Sequence, residues 1–270
     1  MQRVDDPDDP RVALYRSLPD AELRRSVESE NGVFIAEGKI VVRRLLASTY
    51  RTRSVLVAPN RVDALADVLV GLECPVYVAA SPVLDAIAGF PIHRGVLACA
   101  ERPGDVDVTT VARSAHRLAV LEDVNDHENL GALARSAAAF GIDALVLSPG
   151  CCDPLSRRAL RVSMGALLSL PFARSRSWPA DLVALAALGF ERWGLTPNAD
   201  ACPMELLGVP ERVAVVLGAE GPGLSEAALE RTDRRVRISM SSSFDSLNVA
   251  AAGAIAFHFI CPQMTGRPKR

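Results

Sequence analysis

Three times in its second half the chain runs a strand-like aliphatic stretch straight into a polar segment. Arg117–Leu121 leads into Glu122–Ala137, Val213–Leu217 into Gly218–Ser225, and Val236–Ile238 into a serine-rich stretch that ends Ser246-Leu247-Asn248-Val249. A run of five aliphatic residues such as Val213–Leu217, with no polar alternation, fits a strand buried on both faces. Helical spacing recurs between the strands, as in Leu182–Leu188 before Phe190–Leu195. Strands alternating with helices predict an α/β fold with a parallel sheet covered on both sides. Ligands of such sheets bind beyond the carboxyl ends of the strands, where all three polar segments fall.

The first half alternates more weakly. Val33–Ala36, Ser54–Ala58, Pro75–Ala79 and Gly95–Ala100 read as strands, and Lys39–Ala47 and Val62–Val70 as helices. We therefore expect a small α/β domain over 20–101, a flexible N-terminus over 1–19 and a linker over 102–116. The main domain is expected over 117–270. A length of 270 residues accommodates either one large domain or two small ones.

With Lys+Arg at 30, Asp+Glu at 32 and a net charge of −2, the chain is no polycationic nucleic-acid tail. Only Lys39 and Lys269 are lysines, so positive charge rests on arginine. The acidic, proline-bearing start is unlike a secretory signal, and the apolar run Leu247–Cys261 is too short to span a bilayer. The six cysteines form no C-x-x-C pair and have no histidine at ligand spacing. These features predict a cytoplasmic protein with reduced thiols, no metal and no membrane partner.

Taken singly, the polar residues have ordinary readings. Asn129 can cap a helix running to Phe140 and closed by Gly141, on which Arg135 is a solvated residue. Gly218-Ala219-Glu220-Gly221-Pro222-Gly223 makes a tight turn before a helix capped by Ser225. It matches neither a phosphate-binding G-K-[ST] loop nor G-x-G-x-x-G. Ser246 or Asn248 can cap the last helix, expected over Leu247–Phe259. Glu220, directly after a buried strand, is harder to assign to solubility alone.

Together the three segments resemble the three motifs of the SpoU (TrmH) family of RNA ribose methyltransferases, in the SPOUT superfamily. The first is carried by Asn129, Gly131, Arg135, Ser136 and Ala137, the second by Gly218, Glu220, Gly223 and Leu224. The third is carried by Ile238, Met240, Ser246, Leu247, Asn248 and Val249. Ser239 stands where the family has proline, Ser242 where it has glycine and Ala250 where it has serine. More loosely, Gly32–Gly38 resembles the opening of the family's N-terminal ribosomal L30e-like RNA-binding module.

The resemblance implies methyl transfer from S-adenosylmethionine (SAM) to the 2′-hydroxyl of a ribose in structured RNA. Ribosomal RNA is favoured over transfer RNA because a separate N-terminal module is present. It implies a C-terminal SPOUT domain with a deep trefoil knot, and a homodimer whose active sites draw on both subunits. Gly218, Ile238 and Leu247 would hold the adenosine, with Met240, Thr196 and Pro197 nearby. Arg135 would be catalytic, as the proton acceptor or as the group that orients the hydroxyl. Asn129, Glu220, Ser246 and Asn248 would support it, Glu220 by pairing with a cation. RNA would meet Arg157, Arg158 and Arg161, Arg174 and Arg176, Arg231, Arg234, Arg235 and Arg237, and Arg43, Arg44, Arg51 and Arg53. The alternative, resting on Ser239 and Ser242, is an RNA-binding protein that keeps the fold but transfers no methyl.

Overall fold

A computed structural model describes residues 1–16, 18, 27–28, 30–92, 94–241 and 246–261. The chain forms two units. Met1–Gly104 with Leu155–Ser169 make up the first, and Asp105–Pro154 with the described residues from Leu170 onward make up the second.

The first unit opens with β1 (Gln2–Val4) and a 3-10 turn over Pro10–Tyr15, then β2 (Val33–Glu37), α1 (Lys39–Leu46) and β3 (Thr52–Val57). Next come α2 (Pro59–Val62), α3 (Ala66–Leu69), β4 (Val76–Ala79), α4 (Ser81–Ala88) and β5 (Val96–Glu101). The sheet order is β1-β4-β3-β5-β2, with β5 antiparallel to both its neighbours. The helix expected over Val62–Val70 is broken: a 3-10 turn at Asp63–Leu65 buries Leu65 between two short helices.

The expected flexible start does not hold for the segments at 2–4 and 10–15. β1 pairs in parallel with β4, Gln2 opposite Tyr77. Asp9 caps the turn by accepting the Arg11 backbone N–H at 2.9 Å, so this aspartate terminates structure rather than solvating coil. Val12 and Tyr15 are fully buried, and the Tyr15 hydroxyl lies 2.8 Å from Ser54 Oγ. Tyr15→Phe leaves the buried Ser54 hydroxyl without its partner and should cost about 1–2 kcal/mol. Urea unfolding checks this, with an unchanged midpoint as the contrary result.

The second unit begins with α5 (Val108–Ala112), inside the expected linker. Val108 and Ala112 join the core of this unit, which is why the stretch is ordered. Then come β6 (Arg117–Leu121), α6 (His127–Phe140) and β7 (Ala144–Leu147). α7 (Arg157–Val162), capped by Ser156, belongs with the first unit, not with the domain expected over 117–270. The chain continues with β8 (Phe172–Arg174), α8 (Asp181–Ala187), β9 (Glu191–Leu195), β10 (Cys202–Pro203) and β11 (Val213–Leu217). It ends with α9 (Glu226–Leu229), β12 (Arg234–Arg237) and α10 (Val249–Ile260).

Seven strands lie in the order β10-β12-β9-β11-β6-β7-β8, every pair parallel. β11 is central and all five of its residues are buried, as a strand covered on both faces requires. α10 lies against both α6 and β11. A Cβ at Gly253 would stand 2.3 Å from Leu133 Cδ2 and 3.3 Å from Leu217 Cδ1, so glycine permits the approach. This packing fixes the start of α10 over the carboxyl end of β11.

Candidate functional site

At the end of β11 the chain folds sharply back on itself. A Cβ on Gly218 would lie 2.1 Å from the carbonyl carbon of Gly223. Ala219 and Gly223 form a bridge, with the Gly223 N–H donating to the Ala219 carbonyl at 3.0 Å. Gly221 and Gly223 take φ values of 92° and 73°, which L side chains rarely adopt.

This loop is anchored from below by Glu122, the residue directly after β6. Its buried carboxylate accepts from Ser225 N–H at 2.8 Å, Ser225 Oγ at 2.7 Å and Trp178 Nε1 at 2.6 Å. A carboxylate taken out of water needs such partners, and here three donors supply them. Sequence reasoning passed Glu122 over, although it has the signal noted at Glu220: an acid directly after a buried strand.

Asn129 does not cap α6. Asp126 does, accepting the Glu128 N–H at 2.7 Å. That frees the Asn129 amide, which donates to Glu220 Oε2 at 2.9 Å and accepts from Asn248 Nδ2 at 3.0 Å. Asn248 in turn caps α10, its Oδ1 accepting from Ala250 N–H at 2.9 Å. One hydrogen-bonded chain, Glu220–Asn129–Asn248, thus joins the three polar segments. Glu220 meets an amide here, not the cation expected for it.

Between these segments lies a cavity of about 300 Å³. Leu195, Leu217, Ile238 and Val249 give it an apolar floor, Thr196 and Pro197 form one wall, and Gly218, Glu220, Met240, Ser246, Leu247 and Asn248 line the rest. All six residues expected to hold a cofactor therefore line one cleft, together with Glu220, Ser246 and Asn248. Among the described residues, the main chain of Gly218, Met240 and Leu247 makes no hydrogen bond, leaving polar groups open beside an aliphatic surface. That donor set fits an adenosine, whose flat base wants apolar contact and whose edge wants main-chain partners. Ser239 is accommodated: its hydroxyl donates to Glu205 and holds that carboxyl below its usual range. Ser242 lies outside the described residues.

Arg135 does not line this cleft. It is exposed and makes no hydrogen bond or ion pair among the described residues. Six positions beyond Asn129 on a helix, it points about 120° away from the face that carries Asn129.

Most arginines expected to meet RNA are engaged otherwise. Arg174 donates to the carbonyls of Ser148, Pro149, Cys151 and Cys152. Arg157 pairs with buried Glu37 at 2.7 Å and stacks on Phe90. Arg234 pairs with Glu191, Arg235 with Glu226, Arg176 with Asp105, Arg43 with Asp67, and Arg51 and Arg53 with Glu101. Arg44, Arg231 and Arg237 donate to backbone carbonyls. All six cysteines are free thiols, and burial pushes Cys152 up to about 12 and Cys261 up to about 11, so neither offers a thiolate at neutral pH. Among the described residues no helix is long and apolar enough to cross a membrane, and no group of three His, Cys, Asp or Glu could hold a metal.

Residues 116–258 match the model of the SpoU rRNA Methylase family. A Mycobacterium tuberculosis protein named an uncharacterized tRNA/rRNA methyltransferase is 46% identical over 261 residues, 96% of this chain and 91% of the relative. The Bacillus subtilis 23S rRNA (guanosine(2553)-2′-O)-methyltransferase RlmP is 26% identical over 96% of this chain and 99% of its own length. Among solved structures, an AdoMet-bound rRNA methyltransferase from Sinorhizobium meliloti superposes with a TM-score of 0.83 at 21% identity, covering 98% of this chain and 99% of the other.

Proposed function

The chain belongs to the SpoU rRNA methylase family, and on that premise we propose that it transfers a methyl group from SAM to the 2′-hydroxyl of a ribose in structured RNA, ribosomal RNA in preference to transfer RNA. The observation that carries this reading is the convergence of the three polar segments on one cleft through Glu220–Asn129–Asn248. RlmP, alike over nearly its whole length, is named for 2′-O transfer to 23S rRNA, which favours the ribose and ribosomal RNA. As the family resemblance implies, the path of the second unit's C-terminal segment is read as a deep trefoil knot, and the first unit as an L30e-like RNA-binding module.

When bound, SAM supplies an activated methyl. The chain's own task is to align an acceptor oxygen with it and to help remove one proton. Gly218, Met240 and Leu247 offer main-chain groups to the adenosine edge while Ile238, Thr196 and Pro197 enclose the base. Asn129 and Asn248 hold the mouth of the cleft, and Ser246 faces the acceptor. Arg135 serves as an oriented cation that steadies developing alkoxide charge, the proton passing to a substrate phosphate or water.

Arg135 does this from the other subunit of a homodimer. Supporting that, Ala251, Ile255 and His258 form one exposed, largely apolar stripe along α10, Ile255 being 44% accessible. Light scattering should report twice the chain mass.

Calorimetry with SAM followed by transfer of labelled methyl to ribosomal and transfer RNA tests the reading. Binding with transfer is expected; binding of RNA without any transfer would favour the inactive alternative. Glu122→Gln sets an amide donor against the Ser225 N–H or Oγ and loosens the loop above it. The dissociation constant for SAM should rise about tenfold, some 1.4 kcal/mol, with the folded far-ultraviolet spectrum retained at the temperature of the measurement. Unaltered SAM affinity would show that Glu122 does not position the loop.

A further inference from the structure

The first unit contains a second hollow, of about 390 Å³, walled by Lys39, Arg61 and Arg94 over an apolar floor that includes Leu65 and Val96. All three cations are exposed, and none makes a hydrogen bond or ion pair among the described residues. Elsewhere in this unit arginines have acidic partners, as Arg43 has Asp67, Arg53 has Glu101 and Arg157 has Glu37. Asp67, which feels the charge of Lys39, is already held by Arg43 through contacts of 2.6 and 2.7 Å. Three like charges around one hollow repel one another, and an anion relieves that repulsion.

The backbone is shaped for this arrangement. A Cβ on Gly38 would lie 2.7 Å from Arg94 Cδ, and one on Gly95 would lie 2.9 Å from Arg61 Cγ. Both glycines have positive φ, 93° and 64°, so each lets an arginine stem cross the main chain with no side chain in between. The turns are tied down by Gly38 N–H to the Val96 carbonyl at 3.0 Å and Ala58 N–H to the Gly95 carbonyl at 2.8 Å. Two guanidiniums and an ammonium on a rim, with aliphatic surface beneath, suit a phosphodiester whose sugar rests on the floor.

We propose that Lys39, Arg61 and Arg94 grip neighbouring backbone phosphates of the RNA, one cation to each, giving the first unit an affinity that does not read sequence. This rests on the RNA reading above. Because phosphate contacts are sequence-independent, a ribosomal RNA stem-loop transcript is a sufficient probe.

Binding is measured between about 50 and 200 mM salt for the wild type and for Lys39→Gln/Arg61→Gln/Arg94→Gln, with Arg3→Gln, an exposed arginine paired with Asp5, as charge control. Over that range the wild type should lose about 20- to 40-fold more affinity than the triple variant, as three phosphate contacts require. Each single substitution should lower the log–log salt slope by about 0.7–0.9, Arg3→Gln should leave it alone, and SAM affinity should be unchanged throughout. Equal slopes in wild type and variants, with SAM binding intact, would overturn the hollow alone and leave the RNA reading standing. A wild type that binds no RNA would overturn both. If the triple variant fails to fold, the single slopes decide.

Discussion

Arg135→Ala should lower methyl transfer by on the order of 10²–10³-fold while SAM binds as before, the loss typical of removing one donor that meets developing charge. The side chain stands on the exposed face of α6, away from the cleft of its own chain, so affinity in that cleft has no reason to change. The same geometry predicts that the residue works across a dimer. Mixing Arg135→Ala subunits with Gly218→Ala subunits creates heterodimers with one intact cleft facing one intact arginine. If assortment is random, half the dimers are mixed and each has one working site of two, so about a quarter of wild-type activity should return. An arginine acting within its own chain returns none. Arg135→Ala with full turnover would remove the residue from the mechanism.

Gly218→Ala should abolish SAM binding, raising the dissociation constant at least about 100-fold, or some 2.7 kcal/mol. The obstacle is main chain: the added carbon would sit 2.1 Å from the Gly223 carbonyl carbon and 2.3 Å from Leu224 N. No side-chain rotation relieves such an overlap, so the loop from 218 to 224 must open. Gly221→Ala makes the useful contrast. Nothing lies within 4 Å of that position, and its cost comes only from φ +92°, about 1–2 kcal/mol of backbone strain. Calorimetry on the two variants separates close approach from conformational freedom. Equal, mild effects would contradict the account of the loop.

The buried strands of the second unit, and the end of the sheet at which the polar segments emerge, were legible in the sequence because their causes are local. A run such as Val213–Leu217 must be buried on both faces, and the polar residues after it must emerge at the sheet's carboxyl end. The partners of Asn129 and the side of its helix on which Arg135 lies were not. Asp126 and Asn129 are equally good caps three residues apart, and only the long-range bonds to Glu220 and Asn248 decide between them. The arginine runs misled for a related reason. Whether Arg174 meets RNA or four carbonyls of its own chain depends on a turn 22–26 residues upstream. The opening segment looked like coil because its aspartates and prolines lack periodicity. Its order comes from pairing with β4 and from Tyr15 reaching Ser54, partners that no local pattern names. Glu122 was readable and was missed: a single buried acid after a strand carries no periodic signal.

The central claim is that the cleft delivers methyl to a ribose oxygen, and the most direct measurement is the chemical position of the transferred label. RNA incubated with the protein and methyl-labelled SAM is hydrolysed in alkali, which cleaves every linkage except one next to a methylated 2′-oxygen. The account predicts label in alkali-resistant dinucleotides that yield a 2′-O-methylnucleoside. Label recovered on a base, in fully cleaved mononucleotides, would contradict it.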